Sequence, residues 1–394
     1  MTDVAERLEE LRERGLYRRL RLIEGPQGPS VTLDGRPVLL LCSNNYLGLA
    51  DRAEVREAAA EAALRWGAGA GASRLISGNM EPHRQLEARL AAFKGYEEAL
   101  LFGSGYLANT GVVTALAGKG EVVFSDELNH ASIVDGCRLS RAETFVYRHG
   151  DTEHLEWGLQ RTGGQPALIV TDGVFSMDGD VAPLPELLEV ARRHGARLMV
   201  DEAHATGAVG PGGRGSVAAA GLSSEVDVVV GTLGKALGSY GAYACANTET
   251  IDFLVNTARP FIFSTAPPPP AAGAALAALR LLEAEPQLVE RLQANAETLR
   301  TALADEGLEV GRSQTQVVPI QVGEAKGAME LCEAALRRGV FAQGIRPPTV
   351  PEGSCRLRCT VMATHRPEEL VGAARQIGAA AREVGLLQAQ PLAA

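Results

Sequence analysis

Lysine is nearly missing from this chain. Of its 38 cationic side chains only four are lysines, Lys94, Lys119, Lys235 and Lys326, and arginine supplies the rest. A guanidinium cannot form a Schiff base, so a lysine kept in such a background is a candidate for amine chemistry. Cationic charge is short overall: the formal net charge is −10. That argues against a nucleic-acid-binding surface and for a solvated acidic exterior. The six cysteines (Cys42, Cys137, Cys245, Cys332, Cys355 and Cys359) form no CxxC pair. Spread over the chain they read as reduced thiols, not as a disulfide framework, and nothing points to a metal site. No apolar run is long enough to span a bilayer, and the polar, helical start MTDVAERLEELRERG is no signal peptide. The expectation is a globular, soluble, cytoplasmic protein with no membrane or nucleic-acid partner.

What is present organises into layers. A length of 394 residues predicts two domains plus an extension. Residues 1–50 hold an amphipathic helix and a hairpin about Asp34-Gly35, in VTLDGRPVLLL. Residues 51–280 form the larger domain. Within it EVVFSD (121–126), ALIVTDG (167–173), RLMVDEAH (197–204) and VDVVVGTLGK (226–235) each read as a buried strand ending in polar residues, with room between them for crossover helices such as LPELLEVARRHG (184–195). This is the pattern of an α/β fold, a mostly parallel sheet with helices on both faces. PPPP (267–270) interrupts it, one long helix over 271–307 is expected as a connector, and 281–394 is read as a smaller C-terminal α/β domain.

In open parallel sheets ligands bind beyond the carboxyl ends of the strands. Those ends carry Asp126 with His130, Asp172 with Ser176, Asp201 with His204, and Thr232 with Lys235. Lys235 lies in GTLGKALGSYG (231–241), where glycines let a ligand approach the backbone. At a buried strand end an amine loses solvation and is freed as nucleophile and base. The string is not a P-loop, because the glycine spacing fails and Ala236 follows the lysine. Asp201 directly follows a buried strand and needs a cation. A protonated pyridine nitrogen is one such cation, and it would make the ring an electron sink; an arginine partner or a helix cap is the other reading. His204 shares the turn with Asp201 and is placed to address the same ring at its phenolic oxygen. His130, in SDELNHAS, is a candidate to stack on a flat ring. For a phosphate, Ser104, Gly105 and Tyr106 in FGSGYLANTG (102–111) open a helix whose N-terminus favours an anion. Ser264 and Thr265 offer further hydroxyls; an ordinary turn is the alternative at both places. The glycines of GPGGRG (210–215) match GxGxxG, but they neither follow directly on a strand nor lead into a clear helix, so no dinucleotide site is read there.

These residues also resemble a known family. TDGVFSMDGDVAPL (171–184), VDEAHATG (200–207) and GTLGKALG (231–238) are similar to the α-oxoamine synthases, fold-type I pyridoxal-phosphate enzymes. The likeness continues through SNNYLGLA (43–50), WGAGAGASRLISGN (66–79), SDELNHASIVDG (125–136), ARPFIFST (258–265) and IRPPTVPEGSCRLRCTVMATH (345–365). The resemblance implies the PLP-dependent transferase fold (type I) and a homodimer with active sites shared between subunits. It implies that Lys235 carries pyridoxal 5'-phosphate as a Schiff base, Asp201 pairs with its ring nitrogen, His204 contacts its hydroxyl and His130 stacks on it. Ser176 and Thr232 assist placement, and Thr265 reaches the neighbouring subunit's phosphate. Arg358, in CRLRCTV, matches the arginine that grips the amino-acid carboxylate, a task suited to a bidentate guanidinium. Asn44 matches a substrate-contacting asparagine, and Arg18 is assigned to the acyl-CoA side. The implied reaction is decarboxylative condensation of an amino acid with an acyl-CoA. IRPPTVP (345–351) resembles the member that joins L-alanine to pimeloyl-CoA or a pimeloyl carrier protein in biotin synthesis. SDELNHASIVDG, ARPFIFST and the N-terminal third also resemble members that acylate glycine with acetyl-CoA or accept both substrate pairs, and VDEAH departs from the VDDAH commoner in the biotin member. An aminotransferase on the same fold and a non-catalytic cofactor-binding module are the rival classes.

Overall fold

The structure is a computed structural model that describes residues 3–388. The chain divides into two compact units. One takes the stretch up to Gly48, the turn Met177–Gly179 and everything from Arg291 on; the larger takes Leu49–Ser176 and Asp180–Glu290.

The chain starts in the smaller unit with strands β1 (Ile23–Glu24), β2 (Ser30–Leu33) and β3 (Arg36–Leu40). The expected hairpin is present. Leu33 pairs with Arg36, and Asp34 and Gly35 adopt φ of 49° and 77°, the left-handed pair that a tight two-residue turn requires.

The larger unit follows, with β4 (Glu98–Phe102), β5 (Val122–Asp126), β6 (Glu143–Tyr147), β7 (Ala167–Asp172), β8 (Arg197–Asp201), β9 (Val228–Thr232) and β10 (Ala242–Ala246). They form one sheet in the order β4-β10-β9-β8-β7-β5-β6, in which β10 runs antiparallel to both its neighbours. The four strands expected from the sequence are β5, β7, β8 and β9. Their side chains alternate between two cores, as a pleated strand buried on both faces demands. Val123, Leu168, Val170, Met199, Val228 and Val230 pack with Ala108, Val112 and Ile133 of the helices Gly105–Leu116 and Ala131–Ser140. Val122, Phe124, Ile169, Leu198, Val200 and Val229 pack with Leu155, Leu187 and Leu188 of the helices Thr152–Leu159 and Leu184–His194. Each fully buried aliphatic side chain contributes about 1.5–3 kcal/mol, so the sheet is held rigidly between the two layers. From β5 the next strand lies on one side and from β7 it lies on the other, so the switch point falls between them, where a crevice opens at the carboxyl ends.

The single long helix expected over 271–307 is two helices, Pro269–Ala284 and Gln287–Asp305. Pro286 is the cause: it has no N–H to donate and bars the helical conformation from Glu285, which sits at φ −124°, ψ 60°. The smaller unit is completed by β11 (Val317–Gly323), β12 (Val340–Phe341), β13 (Gln343–Ile345) and β14 (Cys355–Thr360), in sheets ordered β1-β2-β3-β12 and β11-β14-β13. The sequence reading sets residues 1–50 apart from the C-terminal region. In the fold β3 and β12 pair in parallel, Leu39 with Val340 and Leu40 with Phe341, so the two stretches share one sheet. Among the described residues no helix is long and apolar enough to cross a membrane.

Candidate active site

The polar residues at the carboxyl ends of β5, β7, β8 and β9 meet in the larger unit. Asp172 ends β7 and Asp201 ends β8, paired across the ladder and both buried. Two adjacent carboxylates in a poorly solvated site cannot both carry charge cheaply. Burial first, and then the charge of Asp201, push the Asp172 carboxyl well above the usual carboxylate range. Its Oδ2 accepts the backbone N–H of His130 at 2.8 Å. Asp201 accepts from the Ala203 N–H at 2.8 Å and from Asn109 Nδ2 at 2.6 Å. These two donors, one to each oxygen, fix the carboxylate plane.

Beyond Asp201 the chain turns, and His204 comes back within 2.7 Å of the Lys235 amine at its Nε2. Lys235 is half-buried and His204 is buried. The loop that carries Lys235 is closed by Thr232, whose hydroxyl donates to the Gly241 carbonyl at 3.0 Å and accepts the Gly234 N–H at 3.2 Å. His130 caps the helix Ala131–Ser140, with Nδ1 2.7 Å from Ser132 Oγ. Burial of that ring edge lowers its pKa below the usual imidazole value, opposed by the nearby charge of Asp201 and assisted by that of Lys235. His130 is exposed, so its ring is accessible to a ligand.

The anion-binding candidates sit on the helix Gly105–Leu116. Ser104 is its N-cap and accepts the Leu107 N–H at 3.3 Å. The Gly105 and Tyr106 N–H groups belong to the first turn, where no intrahelical partner exists, and open space lies where a Cβ of residue 105 would be. The Tyr106 hydroxyl bonds Asp135 at 2.7 Å, which leaves its backbone N–H, not its side chain, as the candidate donor to an anion. Asn109 lies on this same helix, so one element carries the candidate anion-binding N–H groups and a donor that orients Asp201. Ser176 is buried in the loop after β7. Thr265 is exposed and bridges to Ser73 in the segment before the helix Pro269–Ala284.

In the smaller unit Asn44 and Arg358 are joined by a residue the sequence reading missed. Tyr46 donates to Asn44 Oδ1 at 3.1 Å and is hydrogen-bonded to Arg358. Burial raises the Tyr46 pKa, with Arg358 pulling against it. Arg358 is itself buried in β14. Arg18 is exposed, donates to the Pro347 carbonyl at 3.3 Å, and lines a cavity of about 640 Å³ with Tyr17, Arg21, Phe341 and Arg346.

The sequence reading also passed over Asn109 and Ser132 and named Asp172 only as a strand-end residue. The signal for Asn109 was available: an amide on the apolar stripe Ala108, Val112 and Val113 of a helix asks for a buried polar partner.

The sequence matches the family described as aminotransferase class I and II over residues 36–377. The chain belongs to that family. Within it, the α-oxoamine synthase resemblance carried by the motifs is borne out. The chain is 55% identical to an 8-amino-7-oxononanoate synthase of Citrifermentans bemidjiense, over 98% of this chain and 100% of the relative. It is 53% identical to one of Geobacter sulfurreducens, over 98% and 99%. Its structure resembles a serine palmitoyltransferase of S. paucimobilis solved with PLP and myriocin, with a TM-score of 0.93 at 34% identity and 98% of each chain covered. The expected type I architecture is therefore that of this family.

Proposed function

We propose that this chain is a pyridoxal-phosphate-dependent acyltransferase that condenses L-alanine with pimeloyl-CoA, or a pimeloyl carrier protein. Carbon dioxide and a free thiol are released, and 8-amino-7-oxononanoate is formed for biotin synthesis. The observation that carries the reading is the 55% identity, over nearly the full length of both chains, to a protein of that name. The donor set fits the cofactor: an amine for its aldehyde carbon, a carboxylate for its ring nitrogen, and a helix N-terminus for its phosphate. Lys235 would bind it covalently, Asp201 would hold the pyridinium proton and His204 would meet the phenolic oxygen. Ser104, Gly105 and Tyr106 would take the phosphate, with Thr265 reaching it from the partner subunit of a homodimer. Ser176 and Thr232 would assist placement. When bound, pyridoxal phosphate supplies an electron sink for negative charge at the amino acid's Cα.

The chain's own residues do the rest. Lys235 Nζ, with His204 beside it at 2.7 Å, would take the Cα proton of the bound amino acid. Arg358 holds the substrate carboxylate through a paired guanidinium contact, and Asn44 contacts the same substrate. The Cα carbon attacks the thioester carbonyl, and His130 donates a hydrogen bond to the oxygen as charge builds there. The thiolate leaves, the resulting β-keto acid loses carbon dioxide, and Lys235 returns a proton to Cα. Arg18 serves the acyl side. The cytoplasm is the proposed compartment.

Free-thiol release by the cofactor-loaded protein, with L-alanine and glycine crossed against pimeloyl-CoA and acetyl-CoA, tests the reading. Release chiefly with alanine and pimeloyl-CoA is expected. Release chiefly with glycine and acetyl-CoA would overturn the substrate assignment. Transfer of the amino group to a keto acid without thiol release would overturn the reaction class.

A further inference from the structure

Asp201 and His130 stand on different elements, yet an unbroken chain of hydrogen bonds joins them. Asn109 Nδ2 donates to Asp201 Oδ2 at 2.6 Å and to Ser132 Oγ at 2.8 Å. Ser132 Oγ lies 2.7 Å from His130 Nδ1, and the Ser132 backbone N–H points at that same nitrogen from 3.3 Å. Asn109 and Ser132 are both buried, with 1% and 0% of their surfaces exposed.

The direction of each bond is fixed by what its neighbours can do. Asp201 offers only acceptors to Asn109, so the amide NH₂ must face it; turning the amide would set its oxygen against a carboxylate oxygen. Asn109 Oδ1 then points away and is buried without a partner. Ser132 Oγ accepts from the amide and keeps its own proton to donate. Its target is His130 Nδ1 at 2.7 Å, the shorter of the two contacts there; the backbone N–H at 3.3 Å adds to it, and together they ask Nδ1 to present its lone pair. A proton on Nδ1 would face two donors at once.

We propose that Asn109 and Ser132 are positioning residues that fix His130 as the tautomer protonated at Nε2, so that Nε2 offers an N–H donor and not a base. The proposal rests on the acyltransfer reading for its catalytic meaning only. There, a neutral Nε2–H donor is what the oxygen of a thioester carbonyl needs, whereas the other tautomer would turn a lone pair toward it. The tautomer itself follows from the contacts alone. The charged groups facing His130 act consistently with this: Lys235 disfavours an imidazolium, Asp201 favours one, and burial outweighs the latter, while Asp172 meets only the backbone N–H.

Histidine ¹⁵N NMR on the cofactor-loaded protein reads the tautomer directly and without substrate, with His130→Gln assigning the signal among the seven histidines. The expected spectrum has Nδ1 unprotonated and Nε2 protonated through neutral pH. Ser132→Ala should mix the two tautomers, lower kcat/KM about tenfold, and move the acid limb of the kcat/KM profile to higher pH. Ser132→Thr keeps the hydroxyl and should restore the native spectrum, which separates loss of the bond from loss of packing. Asn109→Leu should disturb the tautomer less than Ser132→Ala. A protonated Nδ1 in the native protein, or a Ser132→Ala variant with unchanged tautomer and pH profile, overturns the proposal. If the spectrum is as expected but no thioester is cleaved, the acyltransfer reading fails and the relay stands.

Discussion

The turn that leaves β8 has two sides, and a lysine waits on each. On one side Asp201 and His204 face Lys235. On the other Glu202 faces Lys94. Both lysines are rare survivors in an arginine-dominated chain; the sequence singles out Lys235 by its place at a glycine-rich strand end, and says nothing of what Lys94 does. Their surroundings differ in kind. Lys94 is buried, pairs with the fully buried Glu202, and donates also to the Arg214 carbonyl. The Glu202 carboxylate is saturated further by Ser216 Oγ at 2.8 Å and the Val217 N–H at 2.7 Å. Gly215, at φ +103°, makes the room: a Cβ there would lie 2.3 Å from Glu202 Oε2. Lys235 is half-buried, and its amine lies 2.7 Å from an imidazole nitrogen, which can give or take a proton. A lysine locked against a buried carboxylate anchors the turn. A lysine against an imidazole keeps its proton exchangeable. The anchor on one side holds the reactive groups in place on the other.

The largest expected effect breaks the reactive side. Lys235→Ala should lower thiol release by about 10³-fold or more, since it removes both nucleophile and base. The fold should remain, with little change in Tm. Borohydride should no longer fix the cofactor's mass to the peptide around residue 235. Retention of full activity would end the assignment. The next effect falls on stability. Lys94→Met strands the Glu202 charge in the interior and should cost about 3–5 kcal/mol, read as a lowered urea midpoint. The double variant Lys94→Met/Glu202→Gln should recover most of that loss, because the uncompensated charge is gone. If the single variant lost activity a thousandfold while its urea midpoint stayed put, the division of labour between the two lysines would be wrong.

How much of this was legible in the sequence follows from distance along the chain. The four strands β5, β7, β8 and β9 each announce themselves by a local apolar run ending in a polar residue, so Asp201, His204, Thr232 and Lys235 could be placed at one sheet edge without a structure. The hairpin at Asp34-Gly35 is likewise a local signal. The partnership of β3 with β12 joins residues about 39 and 340; no window of sequence contains both. The break at Pro286 was written in the chain, but the strong periodicity on either side concealed it. Asn109 and Ser132 lie inside recognised motifs, yet their roles arise only when two helices bring them to 2.8 Å. The saturated pairing of Lys94 was invisible for the same reason, since Glu202 is far from it in sequence.

A second anchor distinguishes itself by pH. His149, just past β6, donates from Nδ1 to Asp126 Oδ1 at 3.0 Å and from Nε2 to Asp180 Oδ2 at 2.7 Å. Asp126 ends β5 and Asp180 lies in the loop between Val174 and Val181 that also carries Ser176, with Phe175 edge-on to the imidazole at 4.4 Å. Both ring nitrogens donate, so the ring is a cation pinning that loop. Burial opposes the charge, but the two carboxylates win and push the pKa from 6.5 up to about 10. A folded-state pKa raised above the unfolded value means stability that is complete below pH 6.5 and is lost as pH climbs to about 10. The raw shift overstates the gain, because the ring is 26% exposed and partly screened; about 2 kcal/mol is expected between those limits. Urea unfolding at pH 6, 8 and 10 should show that decline in the native protein and a flatter profile in His149→Gln. At pH 10 the two proteins should converge, because the native ring is then losing its second proton. A variant that stayed equally less stable at every pH would make His149 a packing residue, and only the Lys94–Glu202 pair would remain as a charged anchor of the site.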